Sequence, residues 1–421
     1  MSELGLQKNV GKKYPESWIL THLGEIITPI KGKKPKILGK KSKHYSIPYI
    51  NIRAFEKKEF NEYTDTNSNP QCIENDILIV WDGARSGLVG TGVSGVVGST
   101  LMKLQYYLID PKYLYYFLQI NYEYINKNPK GIGIPHVNPN LLWTLQFPLP
   151  PLNEQKRIVG KTEELFSLVD SAKQSLENVK VHLKQYKNSL LKRAFDYSTL
   201  TKFRDVCELM SGKAFKKKEY ASHGVRLFQI ANVSFGKVIW DSISYLPPNY
   251  LQKYPELELK EGDIVMALNR PILNGKIKVG IIGTVDVPSI LYQRVGKFIT
   301  SDIIKKYFFY YLQSPQFIKQ LKSSLQGVDQ PFINKPKLLD FLIPIPTIKE
   351  QKRIVAKIEE SFSIIEKNEK LVDSLLLQYN QIKNSILKQA FKGKLVPQDP
   401  NDEPAQILLE KIQQERKKNG K

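Results

Sequence analysis

Several short stretches hold residue types at spacings that could do chemistry. Gly90–Thr91–Gly92–Val93–Ser94–Gly95 matches the glycine spacing of a dinucleotide-binding loop, whose backbone approaches a pyrophosphate between a strand and a helix. Here the β-branched, glycine-broken VVGSTLMKL follows, which predicts a loop or a bulged strand instead. Pro247–Pro248–Asn249–Tyr250 has the letters of the N-P-P-Y loop of adenine methyltransferases in another order. That order would not aim an amide and two prolyl carbonyls at an amino group, so the stretch reads as a turn. GKKPKILGKKSK, from Gly32, lacks the spaced glycine and the Ser or Thr of a phosphate-binding P-loop. Glu154–Gln155–Lys156 imitates the E-x-K of nucleases but opens a helix and has no nearby P-D partner. His22, His44, His136, His182 and His223 show no metal-ligand spacing, and Cys72 and Cys207 are too few for a zinc site or a disulfide framework. Each cysteine reads as a small packed side chain. What remains is binding: 63 Lys and Arg against 41 Asp and Glu give a net charge of +22, which favours a polyanion such as DNA, RNA or an acidic membrane surface.

The elements that must position such binding residues are set by an internal repeat. EQKRIV occurs at Glu154–Val159 and again at Glu350–Val355, 196 positions on. FPLPPLNEQKRIVGKTEELFSLVD aligns with IPIPTIKEQKRIVAKIEESFSIIE, and YKNSLLKRAF with IKNSILKQAF. Of the 42 positions from Glu154 to Phe195, 19 are identical in the second copy, clustered at the two ends. The middle keeps a period: Leu165, Val169, Ala172, Leu176, Val179, Leu183, Tyr186 and Leu190, matched by Ser361, Ile365, Asn368, Val372, Leu375, Tyr379, Ile382 and Ile386. Alternating steps of four and three predict a coiled-coil seam on two helices of roughly 60 Å each. A helix of that length with one apolar stripe needs a partner, and the other copy is the obvious one. Thr347 to Glu350 fits a capping box; the first copy has Pro151 at that place, leaving Asn153 as a substitute cap. Upstream of each helix a weaker repeat runs back through GIGIPHVNPNLLWTLQFPLP and GVDQPFINKPKLLDFLIPIP, YLYYFLQ and KYFFYYLQ, and Glu74–Val80 with Glu261–Ala267. Leu23–Ile26 and Gly32 match Phe203–Val206 and Gly212 at an offset of 180. The expected fold is therefore α+β: two similar globular domains, each followed by one long helix. The domains read as short strands broken by Gly and Pro, with an aromatic helix near residues 111–122 and 304–314. No apolar run reaches the roughly 20 residues a membrane helix needs. The start, MSELGLQKNVGKKYPESW, lacks the apolar core of a signal peptide, so a cytoplasmic location is expected.

Two divergent globular regions, each ending in PLPPLNEQKRIV-type sequence and a long helix, resemble the specificity subunit of type I restriction–modification systems. Tyr14–Pro15–Glu16–Ser17–Trp18 followed by Leu23–Gly24–Glu25–Ile26, and FKGKLVPQDPNDEPAQILLEKIQQER from Phe391, are similar to that family's entry and tail. The resemblance implies a target-recognition domain at 1–150, a helix at 151–196, a second target-recognition domain at 197–346, a second helix at 347–392 and a tail at 393–421. The helices would form an antiparallel coiled coil with a pseudo-two-fold axis. Each domain would read one half of a bipartite, asymmetric double-stranded DNA target. Two modification subunits, binding S-adenosylmethionine, and restriction subunits, using ATP and Mg, would be the partners. This chain would hold no cofactor or metal and do no chemistry itself.

Phosphate contacts are expected from lysine clusters: Lys31, Lys33, Lys34, Lys36, Lys40, Lys41 and Lys43 in the first domain, and Lys213, Lys216, Lys217 and Lys218 in the second. Base readers should be side chains able to pair with base edges in the major groove. Arg53, Arg85 and His136 are the candidates in the first domain; Asn232, Asn269, Arg270 and Gln330 in the second. Arg53 aligns loosely with Asn232, and Asp82–Arg85 with Asn269–Arg270. Lys187, Asn188 and Ser189 with Lys383, Asn384 and Ser385, repeated near the helix ends, are candidates for two equivalent partner subunits. Glu154, Gln155 and Arg157 with their copies are expected to tie each helix start to its own domain. The alternatives from other classes are a coiled-coil scaffold that binds protein and an RNA-binding protein. RNA modules offer exposed aromatics for stacking, whereas YLYYFLQ and YFFYYLQ read as core.

Overall fold

The computed structural model describes residues 14–65, 69–131 and 133–419, so the first thirteen residues of the stretch read above for a signal peptide lie outside it. The chain forms two compact units, Met1–Ser175 with Leu375–Lys421, and Leu176–Ser374. Each unit holds one globular domain and half of each long helix.

The two domains share one strand plan. In the first, Ile27–Lys31, Leu101–Tyr106, Ile77–Val80 and Val89–Gly90 lie in that order in an antiparallel sheet. A second sheet runs Tyr63–Thr64, Ile47–Ile50, Gly95–Val97, Gln71–Cys72, its middle pair parallel. In the second domain the same orders recur as Cys207–Ser211, Val295–Thr300, Ile264–Ala267, Val279–Ile281 and as Ser244–Leu246, Val225–Phe228, Ser289–Leu291, Glu258–Leu259, again with a parallel middle pair. A short antiparallel pair closes each domain: Ile19–His22 with Gln146–Leu149, and Leu200–Lys202 with Leu342–Pro344. Ile77–Val80 and Ile264–Ala267 are buried at all four positions, as central strands covered on both faces must be. The repeated glycines have one shared cause. A Cβ on Gly32 would stand 2.1 Å from the Gly98 carbonyl, and one on Gly212 2.3 Å from the Tyr292 carbonyl. GTGVSG runs from the strand Val89–Gly90 through a loop into Gly95–Val97, with no helix after it. Cys72 and Cys207 are free and buried, and burial raises their thiols to about 11 and about 12.

The aromatic helices differ from expectation. The first runs longer, Pro111–Lys127, capped by the Asp110 carboxylate, which accepts from the amides of Lys112 and Tyr113. The second is split into Lys305–Tyr311 and Pro315–Ser324. Pro315 cannot donate to the preceding turn, and the Ser314 hydroxyl caps the restart by accepting from the Phe317 amide.

The long helices span Leu152–Ala194 and Ile348–Ala390. Asn153 lies inside the first and does not cap it. At the second, only half of the capping box forms: the Glu350 amide donates to Thr347 Oγ1 at 3.3 Å, while the Glu350 carboxylate accepts from Arg353 and Tyr197 instead. Gln155 and Gln351 do the same work twice. Each accepts from a backbone amide at 2.9 Å, of Asp110 and Ile304 respectively, and donates to the carbonyl of Pro150 or Pro346.

Within each unit the two half-helices run antiparallel. In the first, Phe166, Asp170 and Lys173 meet Lys383 and then Tyr379. In the second, Lys180 pairs with Asp373 at 2.6 Å and Lys187 lies 4.3 Å over the Phe362 ring. The seam is half as read. Val169, Leu176, Leu183 and Leu190 are covered, as are Ile365, Val372, Tyr379 and Ile386. Ala172, Val179 and Tyr186, and Asn368, Leu375 and Ile382, are exposed. The residues one place later, Lys173 and Lys187, and Glu369, Leu376 and Lys383, are covered in their stead. Lysine stems bury their methylenes while their charge sits on an aromatic face.

Each helix ends by plugging a phenylalanine into an aromatic helix. Phe391 meets Tyr113 and Phe117 at centroid distances of 5.0 and 5.7 Å; Phe195 meets Tyr307 and Tyr311 at 5.0 and 5.2 Å. Beyond Phe391 the tail docks on the first domain through the helix Ala405–Asn419, which buries Leu408 and Ile412 in that domain's core. Arg416 Nη1 donates to the Gly24 carbonyl at 2.6 Å.

Candidate nucleic-acid interface

In the first domain the strand Ile77–Val80 runs out into Trp81, Asp82 and Gly83. The Val137 amide donates to the Trp81 carbonyl at 2.9 Å and the Gly83 amide to the Pro135 carbonyl at 2.8 Å. Asp82 thereby faces His136 across an isolated bridge, and His136 bridges Lys130 as well. Lys31 ends the strand Ile27–Lys31 beside them. The Asp82 carboxylate accepts from Lys31 Nζ at 2.8 Å and from His136 Nδ1 at 2.7 Å. Burial pushes that carboxyl up, but hydrogen bonds and charge from Lys31 and His136 outweigh it and hold it below its usual value. Trp81 stacks on Trp143 at 5.9 Å and lies under Lys31 Nζ.

The next residues turn toward the helix Ile52–Lys57. Asn126 donates to the carbonyls of Ala84 and Ser86 and so fixes this loop. Arg85 pairs with Glu56, and Arg53 with Glu59 at 2.7 Å. Three candidates, Lys31, Arg85 and His136, thus converge on one loop, and Arg53 lies on the helix that pairs with Arg85. Lys33, Lys34 and Lys36 are exposed on the segment after Gly32.

The second domain repeats the backbone frame with other side chains. Asn269 bridges Phe332, and Phe332 bridges Gln326. These are the places of Asp82, His136 and Lys130. The Ile333 amide donates to the Leu268 carbonyl at 2.9 Å, and the Arg270 amide to the Pro331 carbonyl at 2.6 Å. Arg270 has φ +45°, a left-handed conformation uncommon for a side-chain-bearing residue. Its guanidinium donates to the Asp329 carbonyl at 3.4 Å, next to the exposed Gln330. Asn269, Arg270 and Gln330 are therefore brought together. Arg294, missed from the sequence, belongs with them: it is exposed at φ +68°, and its carbonyl accepts from the Leu268 amide at 2.8 Å.

Asn232 requires a correction. It is 1% exposed. Its Oδ1 accepts from the Gln229 amide, and its Nδ2 donates to the carbonyls of Ile239 and Ser242. It holds a loop shut and has no free group with which to read a base. Lys213 Nζ lies 4.3 Å over the Tyr254 ring and donates to that hydroxyl at 3.1 Å. Lys216 and Lys217 are exposed.

Two of the partner-contact candidates also work inside the chain. Burial lowers the Lys187 ammonium beneath its usual value, as expected for a group held over Phe362. Lys383 pairs with Asp170 at 2.7 Å and lies over Phe166 and Tyr379. Phe166 and Phe362 in turn meet Tyr116 and Tyr310 at 5.6 and 5.7 Å. These reciprocal contacts explain why Phe and Lys recur at the same places in both helices. Asn188, Ser189, Asn384 and Ser385 stay exposed. Glu154 is fully buried, accepting from Trp18 Nε1 at 2.9 Å and Gln398 at 3.0 Å. Arg157 reaches Asp402 in the tail.

Among the described residues no group of His, Cys, Asp and Glu could hold a metal ion, and no helix is long and apolar enough to cross a membrane. The family model of the type I restriction modification DNA specificity domain matches residues 15–181 and 198–376. The type I restriction enzyme MjaVIII specificity subunit of Methanocaldococcus jannaschii is 36% identical over 405 residues, covering 91% of this chain and 94% of the relative. The EcoKI specificity subunit of Escherichia coli K12 is 24% identical over 460 residues, covering 97% of both. The fold is similar to that of the HsdS subunit from Thermoanaerobacter tengcongensis, with a TM-score of 0.62 at 18% identity over 91% of this chain and 98% of that one. A chain solved in work on complex assembly and conformational transition of the type I R-M system gives a TM-score of 0.67 at 17% identity over 91% and 100%.

Proposed function

This chain belongs to the family of type I restriction–modification DNA specificity subunits, and on that premise we propose that its two domains read the two unlike halves of one bipartite, asymmetric duplex target. One comparison within the chain carries this reading. At matching places in matching hydrogen-bonded frames, the first domain presents Asp82 and His136 where the second presents Asn269 and Phe332. Base pairs in the major groove are told apart by their patterns of donors, acceptors and methyl groups. Two frames of one shape carrying unlike side chains should select unlike half-sites.

Lys33, Lys34, Lys36, Lys216 and Lys217, exposed, suit phosphate contacts, which set register and give binding a steep salt dependence. Arg53 and Arg85 hold surface carboxylates in the free chain. Such pairs are worth about 0–1 kcal/mol, so exchanging them for a phosphate or a guanine edge costs little. The chain supplies no catalytic group in this reading. Two modification subunits would bring S-adenosylmethionine and methylate adenine, and restriction subunits would bring ATP- and Mg-dependent cleavage.

Base-resolved adenine methylation of the source genome, with and without this gene, tests the proposal. Loss of one bipartite, asymmetric motif on deletion is the expected result. An unchanged methylome in cells that express the partner subunits would overturn it.

A further inference from the structure

The two units differ at one corner. In the first, Arg157 donates to both carboxylate oxygens of Asp402, at 3.2 and 2.6 Å, and only 6% of the Asp402 side chain is exposed. Asp402 belongs to Pro397–Glu403, PQDPNDE, which has three acidic residues and no basic one. Gln398 of the same segment donates to Glu154. The first unit therefore shows how this corner binds an acidic, proline-containing extended segment.

In the second unit the matching arginine is Arg353. Its one acidic partner there is Glu350, a turn earlier in the same helix, and its side chain remains 69% exposed. Around it lies a groove of about 220 Å³ lined by Tyr186, Leu190, Arg193, Tyr197 and Lys357 among others. Tyr186 is 56% and Tyr197 37% exposed. Three cations thus stand against one carboxylate over an apolar floor.

We propose that this groove docks an acidic, proline-containing segment of a partner chain, of the same chemistry as Pro397–Glu403. Charge complementarity supports this occupant, and Arg157 with Asp402 supplies the geometry. Arginine takes a carboxylate through two parallel hydrogen bonds, and proline holds such a segment extended. This chain's own tail is already committed, because Leu408, Ile412 and Arg416 anchor it on the first domain.

The test uses the full chain and a fluorescent peptide, LVPQDPNDE, compared with its amide form carrying Asp399→Asn, Asp402→Asn and Glu403→Gln. Anisotropy should show the acidic peptide binding, and the amide form binding weaker by roughly tenfold or more. The double variant R193E/K357E, which changes exposed side chains only, should lose the acidic peptide by a similar factor while keeping its thermal midpoint. Absence of binding, equal binding of the two peptides, or binding that survives charge reversal would overturn the proposal. Concentration-dependent dimerisation abolished by R193E/K357E would assign the groove to a second copy's tail and also overturn it. None of these outcomes bears on DNA reading, which rests on the loops around Asp82 and Asn269.

Discussion

The amide of Asn232 has three backbone partners, the Gln229 amide and the carbonyls of Ile239 and Ser242, in a site that is 1% exposed. Replacing it with alanine strands those groups in a place with little room for water. Asn232→Ala should therefore cost about 2–3 kcal/mol, read by chemical denaturation of the full chain. A loss below about 0.5 kcal/mol, the ordinary size of a surface substitution, would show that the amide does not hold the loop. Glu350 presents an electrostatic case. The Arg353 guanidinium donates two hydrogen bonds to it and Tyr197 a third, which hold its carboxyl at about 2 against an ordinary 4.5. A carboxyl depressed on folding contributes its full stability above pH 4.5 and loses it as the pH falls toward 2. The difference in unfolding midpoint between the native chain and Glu350→Gln should shrink across that interval. A difference that stays constant with pH would show that this cluster does not act through charge.

At the scale of elements, the repeat binds the long helices to the domains crosswise. The first helix begins on the first domain, through Gln155, and ends in the second unit, where Phe195 enters the cluster of Tyr307 and Tyr311. The second helix begins at Ile304 through Gln351 and ends with Phe391 against Tyr113 and Phe117. Truncating a buried phenylalanine to alanine costs about 3–5 kcal/mol, and the cost should fall where the ring sits. Phe391→Ala should raise amide hydrogen exchange in Pro111–Lys127, and Phe195→Ala in Lys305–Tyr311; the reverse assignment would refute the crossed arrangement. The helix ends were legible in the sequence because one set of contacts, made twice, keeps the same letters. Half of the seam was not, since Lys173, Lys187 and Lys383 fill it, and a pattern of apolar letters counts lysine as solvent-facing. The split at Pro315 was missed because the aromatic run before it read as one helix. Asn232 misled because its environment exists only once the chain from Gln229 to Ser242 has closed around it.

At the scale of the whole molecule, specificity should move with a domain only if the domain keeps what the rest of the chain packs against. The first unit includes Leu375–Lys421 as well as the first domain. Phe391 needs Tyr113 and Phe117; Gln398 shares Glu154 with Trp18; Arg416 needs the Gly24 carbonyl. None of these residues lies on the loops that carry Arg85 and His136. A graft replacing residues 12–146 with another family member's first domain should therefore fold if it retains the equivalents of Trp18, Gly24, Tyr113 and Phe117. Such a graft should change one half of the methylated motif and leave the other half and the spacer unchanged. A graft lacking the aromatic pair should lose the first unit's cooperative unfolding before any question of specificity arises. Sequencing of methylated adenines in cells carrying the folded graft gives the answer. A change in both half-sites would mean that the domains do not read independently, and the twofold division of labour argued from Asp82 and Asn269 would fail with it.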